Sequence, residues 1–227
     1  MRLADGILAA CEADYERFRN WFGVTPAGLP FEVYLVGGDF GAKHATCAAT
    51  KMTCAAFDGH DVNLVRMLVA AEEVEVFSAA LNGGWNCATS SGEGLSRVLA
   101  AETVPNGISG FATAACWLDT PDRPDFVSCN YPNDAHLVSI GCSTLFLNYL
   151  RYQLGFSWTE IIRKGGSTLA STYHRLANRM DAFGPFATLL ESFFPPGARA
   201  LLLSDNPFPL PLDANAKRRA PMTLASV

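Results

Sequence analysis

The stretch that most constrains this chain runs from Val62 to Leu81, where Val, Leu, Met, Ala and Phe recur without Pro or Gly until Asn82-Gly83-Gly84. Asp61 stands where an N-cap is wanted, since its side chain can accept an orphaned N–H of the first turn, and Asn-Gly-Gly is a stop signal. A long helix is therefore expected here. It would align Leu64, Leu68, Ala71 and Glu75 on one face, place Glu72 beside Glu75, and flank them with Val65, Val69 and Val76. Three acids, Glu72, Glu73 and Glu75, thus stand in a segment of otherwise core-like composition. An ionised carboxylate is costly to bury without a cation, a shared proton or a chemical task. Like charges one turn apart also raise at least one pKa or demand a positive partner. Glu73 falls to the side of the stripe, in a position open to solvent. One reading is a solvated helix face with Val74 and Val76 turned inward. The other is a carboxylate cavity, favoured by the direction of the apolar stripe and by a further acid, Glu93, in Gly92-Glu93-Gly94-Leu95-Ser96.

Around this helix the pattern is mixed. Ile7, Leu8, Cys11, Tyr15, Phe18 and Phe22 recur at three- and four-residue steps, so about Ala4 to Phe22 reads as an amphipathic helix closed by Gly23. Phe31 to Val36 is rich in β-formers and ends at Gly37-Gly38, and a second strand falls between Thr46 and Phe57. Beyond the acidic helix, a helix is expected from about Gly92 to Ala101. Thr103 to Asp134 is then irregular around a short apolar segment at Phe111 to Leu118. Helical patterns return at Ser139 to Leu154, Trp158 to Arg163, Thr168 to Met180 and Pro185 to Phe194. The last thirty or so residues, with Pro195-Pro196 at their start and Pro207 to Pro211 within them, are expected along the surface or disordered. The order is α+β: a small antiparallel or mixed sheet followed by a mostly helical part. A single domain over 1–227 is expected, with a sheet-containing lobe at about 1–101, a helical lobe at about 102–202 and an irregular tail at 203–227.

Composition excludes several function classes. A formal net charge of -5, with Lys217-Arg218-Arg219 as the one basic cluster, lacks the phosphate-binding field of a nucleic-acid protein. No apolar run approaches the ~20 residues that span a bilayer, and the first residues carry no hydrophobic export core. A cytoplasmic location without membrane attachment is the expectation. The seven cysteines, Cys11, Cys47, Cys54, Cys87, Cys116, Cys129 and Cys142, form no Cys-x-x-Cys pair. They are expected as free, mostly buried thiols, with a Cys47–Cys54 disulfide as the alternative.

The acidic helix also resembles a known site. Gluzincin metallopeptidases, of zincin-like fold, carry His-Glu-x-x-His on a long helix and a third ligand, Glu, on the next helix. Against that pattern Ala71 falls at the first His, Glu72 at the general base, Glu75 at the second His and Glu93 at the third ligand. The preceding helix and strands, the Gly-Glu-Gly-Leu-Ser helix start and the Ser139 to Leu150 segment are similar in order as well, over roughly Ala4 to Leu202. The resemblance implies Glu72 as the catalytic residue and Glu75 with Glu93 as metal ligands. It also implies a change of chemistry: Ala71 has no lone pair, and carboxylates prefer hard cations such as calcium, magnesium or manganese to zinc. Two functions follow. In the first, a metallopeptidase-like protein has lost ordinary zinc peptidase activity and binds a peptide or protein ligand through its residual cleft. In the second, a hydrolase uses Glu72 as general base while Glu75 and Glu93 hold a hard metal or share a proton.

Further candidates lie in loops. His136 and its rival Tyr131 precede the Ser139 helix, where metallopeptidases often keep an oxyanion-steadying residue, and a surface or capping role is the plainer alternative. His44 lies at the edge of the expected sheet, where extended peptides add as strands, although such a residue is more often simply exposed. His60 reads as turn or helix start and His174 as part of a late helix. Cys87 has no base beside it for a thiol nucleophile. Gly37-Gly38-Asp39-Phe40-Gly41 reads as a plain β-turn.

Overall fold

The computed structural model describes residues 3–38, 41–56, 61–105, 107, 113–196 and 204–208. The chain is α+β, with one three-stranded sheet and a mostly helical remainder. Helix α1 (Leu3–Phe22) leads into β1 (Glu32–Val36), β2 (Ala42–His44) and β3 (Lys51–Ala55). The sheet order is β1-β3-β2, with β1 parallel to β3 and β2 antiparallel to it, Lys43 facing Thr53. The expected second strand is β3. The three-residue β2 adds an edge just before it, and His44 sits at its end.

Helix α2 (Val62–Leu81) has the expected bounds. Asp61 accepts from Asn63 N at 3.0 Å, and Asn82 closes the helix in the left-handed region at φ 51°. Apolar residues surround most of its axis, as a helix buried on several sides requires. It packs on α1, α3 (Ser90–Thr103), β2 and β3. Ile7 of α1 and Val65 and Val69 of α2 enclose Met52 and Cys54 of β3 in one core cluster, while Phe18 and Phe22 meet Phe77 in the larger one.

The larger core is organised by α5 (Leu137–Asn148), which carries no charged residue and lies between α3 and α4 (Ala114–Leu118). Two glycines permit that approach. A Cβ on Gly94 of α3 would lie 2.6 Å from the Ser143 Cβ, and one on Gly141 would lie 2.3 Å from the Thr113 carbonyl oxygen. The helical pattern after α5 continues as one π-helical turn over Tyr149–Gln153. It is followed by α6 (Trp158–Arg163), α7 (Leu169–Ala177) and α8 (Phe183–Phe193).

The tail expectation is corrected in part. Asp205 is buried and accepts from the Thr113 and Ala114 N–H groups, and Phe208 lies in the core. A buried carboxylate that caps α4 ties this segment down; residues 209–227 lie outside the described set. Also outside it are Asp39 and Phe40 of the glycine-rich turn, Phe111 of the short apolar segment, and His60. No helix among the described residues is long and apolar enough to cross a membrane.

Candidate functional site

Helix spacing sets Glu72 and Glu75 on the side of α2 that meets β2, and the structure places one imidazole on them. The His44 Nε2 lies 2.8 Å from Glu75 Oε2 and 3.2 Å from Glu72 Oε2. The His44 side chain is 4% exposed, against 12% and 10% for the two acids. The His44 side chain is therefore enclosed and partnered, on a residue of intermediate burial, where exposure was the plainer sequence reading. Its Nδ1 contacts the Thr46 carbonyl oxygen, which can only accept, so Nδ1 carries a proton. That leaves Nε2 directed at two carboxylate oxygens.

Glu93, in the first turn of α3, completes the group. Its Oε1 accepts from Arg97 Nε at 2.9 Å, and Glu75 is a neighbouring charge. Burial, opposed by the Arg97 charge and reinforced by Glu75, pushes Glu93 up to about 8. Glu72 rises to about 7, through burial and the neighbouring Glu75 charge, with His44 pulling the other way. At His44, burial disfavours the imidazolium, but the bonds to Glu75 and Thr46 and the two carboxylate charges outweigh it and the pKa is raised. The group thus holds protons that isolated side chains would have exchanged at other pH values.

A disulfide braces the site. Cys47, in the turn after β2, is bonded to Cys87, in the loop between α2 and α3, with their Cα atoms 5.7 Å apart. Cys47 pairs with Cys87 and not with Cys54, which corrects the alternative pairing and the free-thiol expectation for these two; Cys11, Cys54, Cys116, Cys129 and Cys142 are free, with Cys54 and Cys142 buried. The Cys87 Sγ lies within 4.8 Å of ligand atoms of His44 and Glu75. As half of a disulfide it has no thiolate to offer a cation. The bond instead ties the β2 end to the α2–α3 loop, so His44 stays over α2.

The loop candidates lie elsewhere around α3. Tyr131 and His136 stack on each other with ring centroids 4.4 Å apart. His136 caps α5 by accepting from Ser139 N, the plainer of its two expected roles. Tyr131 is tied to the start of α3 through Ser90, whose N–H donates to the Tyr131 carbonyl and whose Oγ accepts from the Tyr131 N–H. Among the described residues, no hydrogen bond or ion pair joins either ring to Glu72, Glu75 or Glu93. His174 lies in the last turn of α7.

Glu73 departs from its expectation. It is buried at 4% exposure on the α1 side of α2, and its Oε2 has no hydrogen-bond partner among the described residues. Burial, with smaller contributions from the Asp14 and Glu12 charges, pushes it up to about 8. Asp14 is itself held by Arg66, through Nε at 2.6 Å and Nη2 at 2.5 Å. Sequence reasoning left Glu73 to solvent because the helix pattern does not reveal that α1 covers that side. It missed His44 as a site member because the contact to Glu75 spans 31 positions along the chain.

Compared with known proteins, the chain matches no family model, no curated protein and no solved structure.

Proposed function

We propose that this protein is a metallopeptidase-like hydrolase in which His44 and Glu75 hold a divalent cation, with Glu93 near Glu75, and Glu72 acts as general base. One observation carries the reading: His44 Nε2 and the Oε2 atoms of Glu72 and Glu75 converge while Nδ1 is committed to Thr46. All three converging atoms bear lone pairs, so something positive belongs between them, either a proton or a metal ion. A histidine held through its other nitrogen by a backbone carbonyl is also how imidazole ligands are commonly oriented.

The donor chemistry suits a cation that accepts both imidazole nitrogen and carboxylate oxygen, of the manganese type, more than a purely oxygen-ligated ion. In the gluzincin-like order of elements, Ala71 and Glu75 stand where histidines are expected. His44 returns one imidazole from the sheet edge. A cation bound there would polarise a carbonyl oxygen as a Lewis acid. The remaining work falls to side chains of the chain. Glu72, one turn from Glu75 and beside His44, is placed to accept and return a proton. Arg97 holds Glu93 in place, and the Cys47–Cys87 bond holds the strand that delivers His44.

A second reading is favoured by the same contacts. His44 already partners both Glu72 and Glu75, so a shared proton can satisfy the group, and the intended base is occupied. On that reading the protein has lost ordinary zinc peptidase activity and binds a peptide or protein along edge strand β2. Elemental analysis of protein purified without chelator, manganese and zinc titration calorimetry, and turnover of peptide and ester libraries separate the two. The hydrolase reading expects about one equivalent of metal and turnover, at least tenfold weaker metal binding in His44→Ala, and loss of turnover but not of metal in Glu72→Gln. Absence of metal and turnover, with a fold equally stable after Glu72, Glu75 and Glu93 are all changed to Gln, would sink it in favour of the binding protein.

A further inference from the structure

The opposite side of α2 carries a separate feature. A cavity of about 530 Å³ is lined by one face of α1 from Ala4 to Tyr15, by the segment from Leu29 to Phe31, by Val33 and Leu35 of β1, and by Val69 and Glu73 of α2. That volume lies in the range of about 300–1000 Å³ in which small-molecule sites fall. The α1 residues recur at Ala4, Ile7, Leu8, Cys11, Glu12 and Tyr15, a single helical stripe, so the cavity runs along the helix axis. Aliphatic side chains occupy its Ala4 end. At the Tyr15 end stand two acids, exposed Glu12 and buried Glu73.

We propose that this cavity is a binding site for a small apolar amine, with its ammonium group against Glu73 and its hydrocarbon body along the α1 stripe. Three observations converge on that ligand. Glu73 lines the cavity, and its Oε2 is buried without a partner among the described residues, an arrangement that costs stability unless something in the site completes it. Among the described residues the lining contains two carboxyl groups and no Lys, Arg or His, and the nearby Asp14 charge is taken up by Arg66. An ammonium donates up to three hydrogen bonds and carries the complementary charge, so it answers both the empty acceptor and the field. The apolar remainder of the wall then takes up the hydrocarbon, with Leu8, 69% exposed, at the rim. Glu72 and Glu75 face β2, so this site is independent of the one proposed above.

Titration calorimetry of the full chain with decylamine, decanol and decanoate at pH 9, where Glu73 is ionised and the amine is still charged, tests the assignment. Decylamine is expected to bind at least tenfold more tightly than decanol, and decanoate more weakly than either. Glu73→Gln should abolish the preference for amine over alcohol while retaining alcohol binding. Leu8→Lys, a change at an exposed position, should weaken the amine at least tenfold and serves if Glu73→Gln does not fold. Equal affinity for amine and alcohol, a preference that survives Glu73→Gln, or no heat with any of the three would overturn the proposal.

Discussion

Glu73→Gln should stabilise this protein by an amount that grows with pH. The carboxyl ionises at its ordinary 4.5 in an unfolded chain and at about 8 in the fold, because burial penalises the charge and Asp14 and Glu12 add repulsion. A carboxyl whose folded pKa is raised keeps its proton in the native state while the unfolded chain has already released it. Its contribution is therefore intact below 4.5, and stability is lost as pH rises toward about 8. Each unit of that window costs about 1.4 kcal/mol, which gives less than about 1 kcal/mol at pH 5, about 3 at pH 7 and about 5 once pH exceeds 8. At 4% exposure, solvent screens little of this. Glutamine has nearly the same shape and no titration, so the variant lacks the slope. Urea unfolding of both proteins at pH 5, 7 and 8.5, with circular dichroism and tryptophan fluorescence required to coincide, measures the difference. Glu72 and Glu93 titrate in both proteins and cancel. A stability difference that stays flat across the three pH values would refute the assignment of a buried, proton-retaining Glu73.

The Cys47–Cys87 bond closes a loop over a sequence separation of 40, so replacing both cysteines with serine should cost about 4 kcal/mol by chain entropy. In a chain of 227 residues that is a fall in Tm of about 8 °C, read by calorimetry, and an unchanged Tm would contradict the bond's place in the fold. Thiol labelling in intact cells bears on the cytoplasmic expectation as well, because a structural disulfide is kept in oxidising surroundings and is rare in the cytosol. Asp205→Ala should lose about 2–3 kcal/mol, since the Thr113 and Ala114 N–H groups would be left buried without an acceptor. A loss below about 0.5 kcal/mol in urea would mean that this segment behaves as free tail.

What could be read along the chain was what neighbours in sequence decide. Helix α2 begins after Asp61 and ends at Asn82 because a cap side chain and a left-handed residue act within one turn. Trp158–Arg163 was legible in full, and its Ser157–Glu160 capping box is equally local. The apolar, uncharged α5 likewise declared itself as a helix. The placing of Glu72 beside Glu75 on one side of α2 followed from helical spacing.

The unread part depended on which surfaces meet. Nothing local distinguishes Glu73 from Glu72 or Glu75; α1 packs over one side of α2 and β2 over the other, so one acid lines an apolar cavity and two face an imidazole. Cys47 was as free to pair with Cys54 as with Cys87 until the sheet edge came to rest beside the α2–α3 loop. Asp205 looked like tail until it met the start of α4. The sequence by itself determined the helices, their caps and the presence of costly carboxylates, because propensity and periodicity act over a few residues. The tertiary structure alone decided what each carboxylate faces, because burial and charge pairing are properties of surfaces brought together from distant parts of the chain.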